Sequence, residues 1–220
     1  MVVSDMFRYD NPFLTTLCKI GDLFVLSIVW LLCCLPIVTL IPASSALYYV
    51  AVKSIRRERG SAVKQFWAAF RQNLSCGVKV TFVYLLFAVI TAIWFLFASA
   101  FPLESWEGLI FTAVSRILLV AFGLSSAFLI PLVARFYMKA MQYWKYSFFM
   151  GFRHLGRSLL ILLGTFITVL LIILLPPLVA ILPAVLALGL SFVIEPVLGR
   201  YTIVSNEQGG QDIWYDHTAL

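Results

Sequence analysis

Lys79, Arg116 and Glu195 interrupt apolar runs long enough to cross a bilayer. Ionisable groups in such runs mark ion pathways, proton relays or contacts with another subunit. A proton relay needs several acids at depth, and no second acid stands with Glu195. Lys79 lies near the start of one run and Glu195 near the end of another, so the expectation is a Lys79–Glu195 pair at matching depth. Arg116 lies near the middle of its run, where a charge costs about 2.5–3.5 kcal/mol on insertion. Glu107, on the same run, is too far along a helix to reach it. Arg116 is therefore expected to bond backbone carbonyls or, as the alternative, an acid on a partner subunit.

A second candidate is written twice. FWAAFR (66–71) is followed by FFMGFR (148–153), so Phe66, Phe70 and Arg71 recur as Phe148, Phe152 and Arg153. In the first copy Val63, Phe66, Trp67, Phe70 and Leu74 share one apolar helical face; in the second Trp144, Phe148, Phe152 and Leu155 do so. Helices of this kind lie at the headgroup boundary, where each Lys or Arg gains about 1 kcal/mol against anionic lipid. The sharper reading is a pair of docking surfaces for another subunit. The candidate interface is thus Phe66, Trp67, Phe70, Arg71, Phe148, Phe152 and Arg153, and its partners are anionic inner-leaflet lipid or protein.

Other chemistry is missing from the pattern. The two histidines, His154 and His217, stand in no Ser/His/Asp arrangement, and no HExxH or phosphate loop occurs. The expectation is no catalytic residue, no cofactor and no enzyme activity. The cysteines are Cys18, Cys33, Cys34 and Cys76, with no CxxC pair and no Cys/His cluster, so no metal site is expected. Adjacent Cys33 and Cys34 point about 100° apart on a helix, which disfavours a disulfide. The net charge of +6 follows from topology and implies no nucleic acid.

The elements behind these residues are membrane helices. Hydrophobic residues make up 62% of the 220 and charged ones 12%, against about 45–50% and 25% in soluble domains. The mean hydropathy is +1.00. The expected fold is an all-α polytopic membrane bundle with five spans near 23–41, 77–101, 108–134, 158–175 and 178–194. Asp5, Asp10 and Asn11-Pro12 give the first residues no signal-peptide character, so the first segment is expected to stay as an anchor. Pro176-Pro177 reads as a tight turn. Lys53, Arg56, Arg57, Arg59, Lys64 and Arg71 cluster before the second span, and Arg135, Lys139, Lys145, Arg153 and Arg157 before the fourth. Both basic stretches are expected in the cytoplasm, and the acidic link with Glu104 and Glu107 outside. Alternation puts the N-terminus outside; a first segment broken at Pro36 and Pro42 moves it inside.

Ser44 to Leu47 (SSAL) has a counterpart in Ser125 to Phe128 (SSAF), again followed by a basic connector, the aromatic-arginine element and a helix. Residues 23–101 and 108–175 read as parallel repeat units inside one membrane domain, 1–220, with 200–220 as a cytoplasmic tail.

The stretch from Trp30 to Gly60 resembles the YesL family of bacterial membrane proteins, a family of unknown function. The shared features are Asp22, Leu35-Pro36-Ile37-Val38-Thr39, Ser44-Ser45, Ala46-Leu47-Tyr48-Tyr49 and the basic turn from Lys53 to Arg59. Phe66, Phe70-Arg71, Asn73, Asn11-Pro12 and the Pro196 to Tyr201 region are similar too, whereas Pro42 stands where members carry glycine or another small residue. Members are linked to binding-protein-dependent sugar importers of the ABC class. The resemblance therefore implies a multi-pass protein of the bacterial cell membrane, an accessory subunit beside importer permease subunits, without ATP hydrolysis. A free-standing small-solute transporter or channel is the alternative.

Overall fold

The computed structural model describes the backbone of residues 12–56, 61–102 and 105–207, and the side chains of 19–53, 61–102 and 105–201. It is all-helical over these residues, with seven α-helices. Arg57, Arg59, Glu104 and the tail beyond 207 lie outside the described residues, as do the side chains of Cys18 and Arg56.

Helix α1 spans Pro12–Cys34 and turns its Leu23, Leu26 and Ser27 inward. It ends because Leu35 precedes a proline, which disfavours helical backbone at that residue, and Pro36 itself is extended at φ −75° and ψ 117°. The Thr39 hydroxyl donates to the Cys33 and Pro36 carbonyls at 2.5 and 2.7 Å, satisfying acceptors the helix end leaves open. A 3-10 turn, Ile37–Thr39, leads into α2, Leu40–Val50, which runs on as a π-helical turn over Ala51–Arg56. Pro42 breaks nothing, because it sits in the first turn of α2, where its missing N–H is no loss.

The first apolar segment is therefore not one span over 23–41. Trp30 Nε1 donates to Ser44 Oγ at 3.2 Å, although on a single helix those residues would stand about 21 Å apart. The chain doubles back at Pro36. Further back, Ser27 Oγ donates to the Ile181 carbonyl and accepts from Ala184 N, so the middle of α1 lies beside the 176–184 stretch.

Helix α2 is the core of the bundle. From Ile41 to Val52 every residue except Ser44 is buried, and α1, α3 (Ala62–Ser99), α4 (Trp106–Arg135) and α7 (Leu182–Glu207) pack around it. Small residues let them approach: a Cβ on Gly77 of α3 would stand 2.8 Å from the Pro42 ring.

Helix α3 spans Ala62–Ser99, 38 residues or about 57 Å, well beyond a hydrocarbon core of about 30 Å. It starts far ahead of the expected span because the aromatic-arginine element is its first turns rather than a separate piece. Helix α4, Trp106–Arg135, opens on Ser105, whose Oγ accepts from Gly108 N, and passes through Pro131 without breaking. Beyond Thr81, α3 buries only Thr91 and Ala98; before Leu124, α4 buries only Gly108 and Ser115. These halves form a two-helix arm stitched by Trp94, Phe97, Phe101 and Phe111.

Helices α5, Ala140–Arg153, and α6, Leu155–Leu174, are separated at His154, whose backbone leaves the helical region. Pro176–Ala180 forms the expected turn as a 3-10 helix, and α7 follows over Leu182–Glu207. Among the described residues four helices (α3, α4, α6 and the Leu182–Tyr201 part of α7) are long and apolar enough to cross a membrane. A shorter apolar helix, Ile37–Lys53, joins them, and the chain is a multi-pass membrane protein by this measure.

Candidate interaction site and buried ion pair

Glu195 lies midway along α7, and its partner is not Lys79. Its Oε2 accepts from Arg135 Nη1 at 3.0 Å, and its Oε1 accepts from Tyr48 OH at 3.1 Å. The Arg135 side chain is 2% exposed and that of Glu195 10%. One carboxylate thus ties together α2, α4 and α7. Lys79 is exposed because it lies on the face of α3 opposite the buried Gly77, Val80 and Thr81. The sequence placed Arg135 in a basic loop; it is instead the last residue of α4, turned inward. One turn below Tyr48 on α2, Lys53 Nζ donates to Tyr49 OH at 2.6 Å.

Arg116 is exposed on the arm, and its guanidinium carbon sits 5.8 Å from the Phe95 ring centroid on α3. A ring face, not a backbone carbonyl, is what the guanidinium meets. Helical side chains lean towards the N-terminus, so Arg116 is carried towards the end of the arm where Ser105 begins α4. A cation over an aromatic ring gains about 0.5–2 kcal/mol, offsetting part of the insertion cost.

The doubled aromatic-arginine element divides into two faces. Phe66 is fully buried and stacks on Phe70 with ring centroids 6.1 Å apart, so it is no part of a surface and leaves the candidate interface. Phe148 and Phe152, its supposed counterpart face, are 49% and 43% exposed. The reason lies in what each helix turns inward. Helix α3 buries Ala62, Gln65, Phe66, Ala69 and Asn73; α5 buries Tyr143, Ser147, Met150 and Gly151. Small and polar side chains make close helix contacts in membranes, and apolar rings face lipid. Ser147 Oγ donates to the Ser125 carbonyl, and a Cβ on Gly151 would strike the Leu124 carbonyl oxygen of α4.

What the copies share is an arginine laid over the ring four residues before it. Arg71 Cζ lies 6.0 Å from the Trp67 ring, and Arg153 Cζ 5.7 Å from the Phe149 ring. All four residues are exposed. Phe149 was missed in the sequence, although Phe149–Arg153 repeats the i, i+4 spacing of Trp67–Arg71. Around the first pair, Val63, Lys64, Trp67, Ala68 and Arg71 line an open depression.

Two further groups fix the α4–α5–α6 turns. Tyr143 OH donates to the Phe136 carbonyl at 2.5 Å and accepts from Met138 N at 3.1 Å, and burial pushes this phenol up to about 12. His154 Nε2 lies 3.2 Å from Tyr201 OH on α7. Burial first, then Arg157, Arg153 and Arg200, hold the His154 imidazole below its ordinary value. Among the described residues no three His, Cys, Asp or Glu side chains gather into a metal-binding group.

Residues 23–96, from the inner part of α1 through most of α3, match the family model described as a protein of unknown function, DUF624. The match covers about a third of the 220 residues. No curated protein matches the chain, and no solved structure does.

Proposed function

We propose that the chain is a non-catalytic accessory subunit of a carbohydrate ABC importer in the bacterial cell membrane, docking on permease subunits through its two arginine-on-aromatic pairs. The observation that carries the reading is the exposed Trp67–Arg71 pair and its counterpart Phe149–Arg153. A ring with a cation stacked on it combines apolar area with charge, the composition favoured at protein interfaces. Basic residues cluster around each pair, and the positive-inside tendency supports a cytoplasmic position for both. The YesL resemblance supplies the importer, and the anionic inner leaflet is the second surface the same cations fit.

The arm supports a partner inside the membrane as well. Besides the exposed Arg116, Ser115 Oγ and Trp94 Nε1 are buried without a hydrogen-bond partner among the described residues. Residues 23–101 and 108–175 read as two copies of one unit. Burial supports this at a spacing of 81 in one part of each unit, where Ala46, Leu47 and Tyr48 match Ala127, Phe128 and Leu129; the aromatic-arginine elements repeat at 82, and there the buried faces differ, Phe66 being buried and Phe148 exposed.

Co-purification from native membranes tests the function. Permease subunits should accompany the tagged wild-type chain and be depleted by Arg71→Glu with Arg153→Glu, more than by Arg8→Glu. A chain that always purifies alone, with sugar uptake unchanged on its deletion, overturns the proposal.

A further inference from the structure

A cavity of about 330 Å³ runs through the middle of the bundle, walled by α2, α4, α6 and α7, with Trp30 of α1 and Tyr84 of α3 at its sides. Its length follows from the helices that line it. Along α7 the lining runs from Pro183 to Ile194, and along α6 from Ile161 to Ile172. Eleven residues of rise on each make a slot about 16 Å long. A slot of that length and volume admits an extended hydrocarbon chain.

The polar groups on its walls are already engaged. Thr165 and Thr168 donate to the Ile161 and Gly164 carbonyls, and Ser126 to the Gly123 carbonyl. Ser44 accepts from Trp30, and Tyr48 donates to Glu195. Tyr84 meets Ser126 through a side-chain hydrogen bond, and the rest of the lining is Leu, Ile, Val, Ala and Pro. A sugar would lose its water shell here and find few groups to replace it. An empty slot of this size would forfeit dispersion contacts along four helices.

The cavity also reaches the lipid. Leu40, Thr165 and Val169 line it and are themselves exposed. Thr165 and Val169 lie within α6, an apolar helix long enough to span, so the phase at this mouth is bilayer hydrocarbon. At the other end, the Tyr48–Glu195–Arg135 cluster stops it with ionic groups.

We propose that this slot is a lateral lipid site that takes one acyl chain of a bilayer phospholipid. The chain enters between α4 and α6, where Gly123 leaves only the Leu162 side chain at 3.6 Å from its Cβ position. It lies along α7 with its tip towards the ion pair. The site is independent of the importer reading, and its test contains no importer component, so either can fail alone.

The full-length chain is reconstituted in vesicles of phosphatidylcholine and phosphatidylglycerol, with a phosphatidylcholine bearing a diazirine near the end of one acyl chain. After illumination, mass spectrometry maps the adducts. Expected are adducts on cavity residues Leu186, Ala187 or Leu190, besides those on the outward Leu160 and Leu163. Ala187→Phe and Ala127→Leu, which fill the slot, should each lose the interior adducts and keep the outward ones. Wild-type chain labelled only on its outward residues overturns the proposal, as do interior adducts unchanged in both filled variants.

Discussion

Arg135 at the end of α4 and Glu195 midway along α7 form a buried ion pair at 3.0 Å, 60 residues apart in sequence. Tyr48 completes it from α2, so the three helices that meet at the centre share one carboxylate. The pair stands between the lipid-lined part of the bundle and the end where the basic connectors lie.

Removing one partner of a buried pair costs about 3–5 kcal/mol, because the other charge is left uncompensated. Glu195→Gln should therefore lower the thermal unfolding midpoint of the detergent-solubilised protein sharply. Arg135→Met with Glu195→Leu should recover part of the loss, and adding Tyr48→Phe should recover more, since the hydroxyl would otherwise be buried without an acceptor. Equal midpoints for Glu195→Gln and wild type would show that the pair does not hold these helices.

Glycine contacts offer a second, sharper comparison. A Cβ at Gly151 would collide with the Leu124 carbonyl oxygen, which is backbone and cannot step aside, whereas a Cβ at Gly156 meets nothing within 4 Å. Gly151→Ala should push α5 off α4 and destabilise by about 1–3 kcal/mol. Gly156→Ala, in the first turn of α6, should be neutral or stabilising by up to about 1 kcal/mol through helix propensity. Unfolding midpoints of the two variants, side by side, decide it.

Much of the helical layout was legible. Hydropathy marked the four long helices, and Pro36 and Pro176-Pro177 are real breaks because the chain there lacks donors and helical backbone. Pro42, Pro131 and Pro183 looked alike in sequence but sit where a helix tolerates them or is held by its neighbours. Faces were less legible. In water an apolar stripe points inward; in lipid Trp67, Phe148 and Phe152 point outward while Gln65, Asn73 and Ser147 are buried. Hydrophobicity alone therefore gave the wrong partner face for Phe66. Arg135 was hidden for a related reason, since a cation closing an apolar run reads as a loop residue until a carboxylate from another helix is placed beside it.

His154 makes stability depend on pH. Burial and the neighbouring Arg157, Arg153 and Arg200 depress its folded-state affinity for a proton, so the unfolded chain, with its imidazole near about 6.5, protonates first as pH falls. The contribution of the neutral ring is fully present above about pH 6.5 and is lost as pH falls below it. The unfolding midpoint should drop between about pH 7.5 and pH 5.5, and His154→Gln should flatten that drop while keeping a group able to bond Tyr201. A wild-type profile no steeper than that of His154→Gln would count against the assignment.

The break at Pro36 leaves α1 beside the turn that joins α6 to α7. Trp30 and Ser44 meet across the break, and Ser27 Oγ donates to the Ile181 carbonyl and accepts from Ala184 N. The positive-inside tendency puts Lys53, Lys64 and Arg71 in the cytoplasm. A cysteine placed at Ser61 should therefore resist impermeant thiol reagents in intact cells. Cysteines placed at Ser105, in the link between α3 and α4, should react. Trp30→Phe should weaken the turn only modestly, since one neutral hydrogen bond contributes about 0.5–1.5 kcal/mol, whereas Pro36→Ala removes the break itself and should lower the unfolding midpoint further. A Ser61 cysteine that reacts in intact cells would put the basic link outside, and the cytoplasmic placement of the Trp67–Arg71 pair would fall with it.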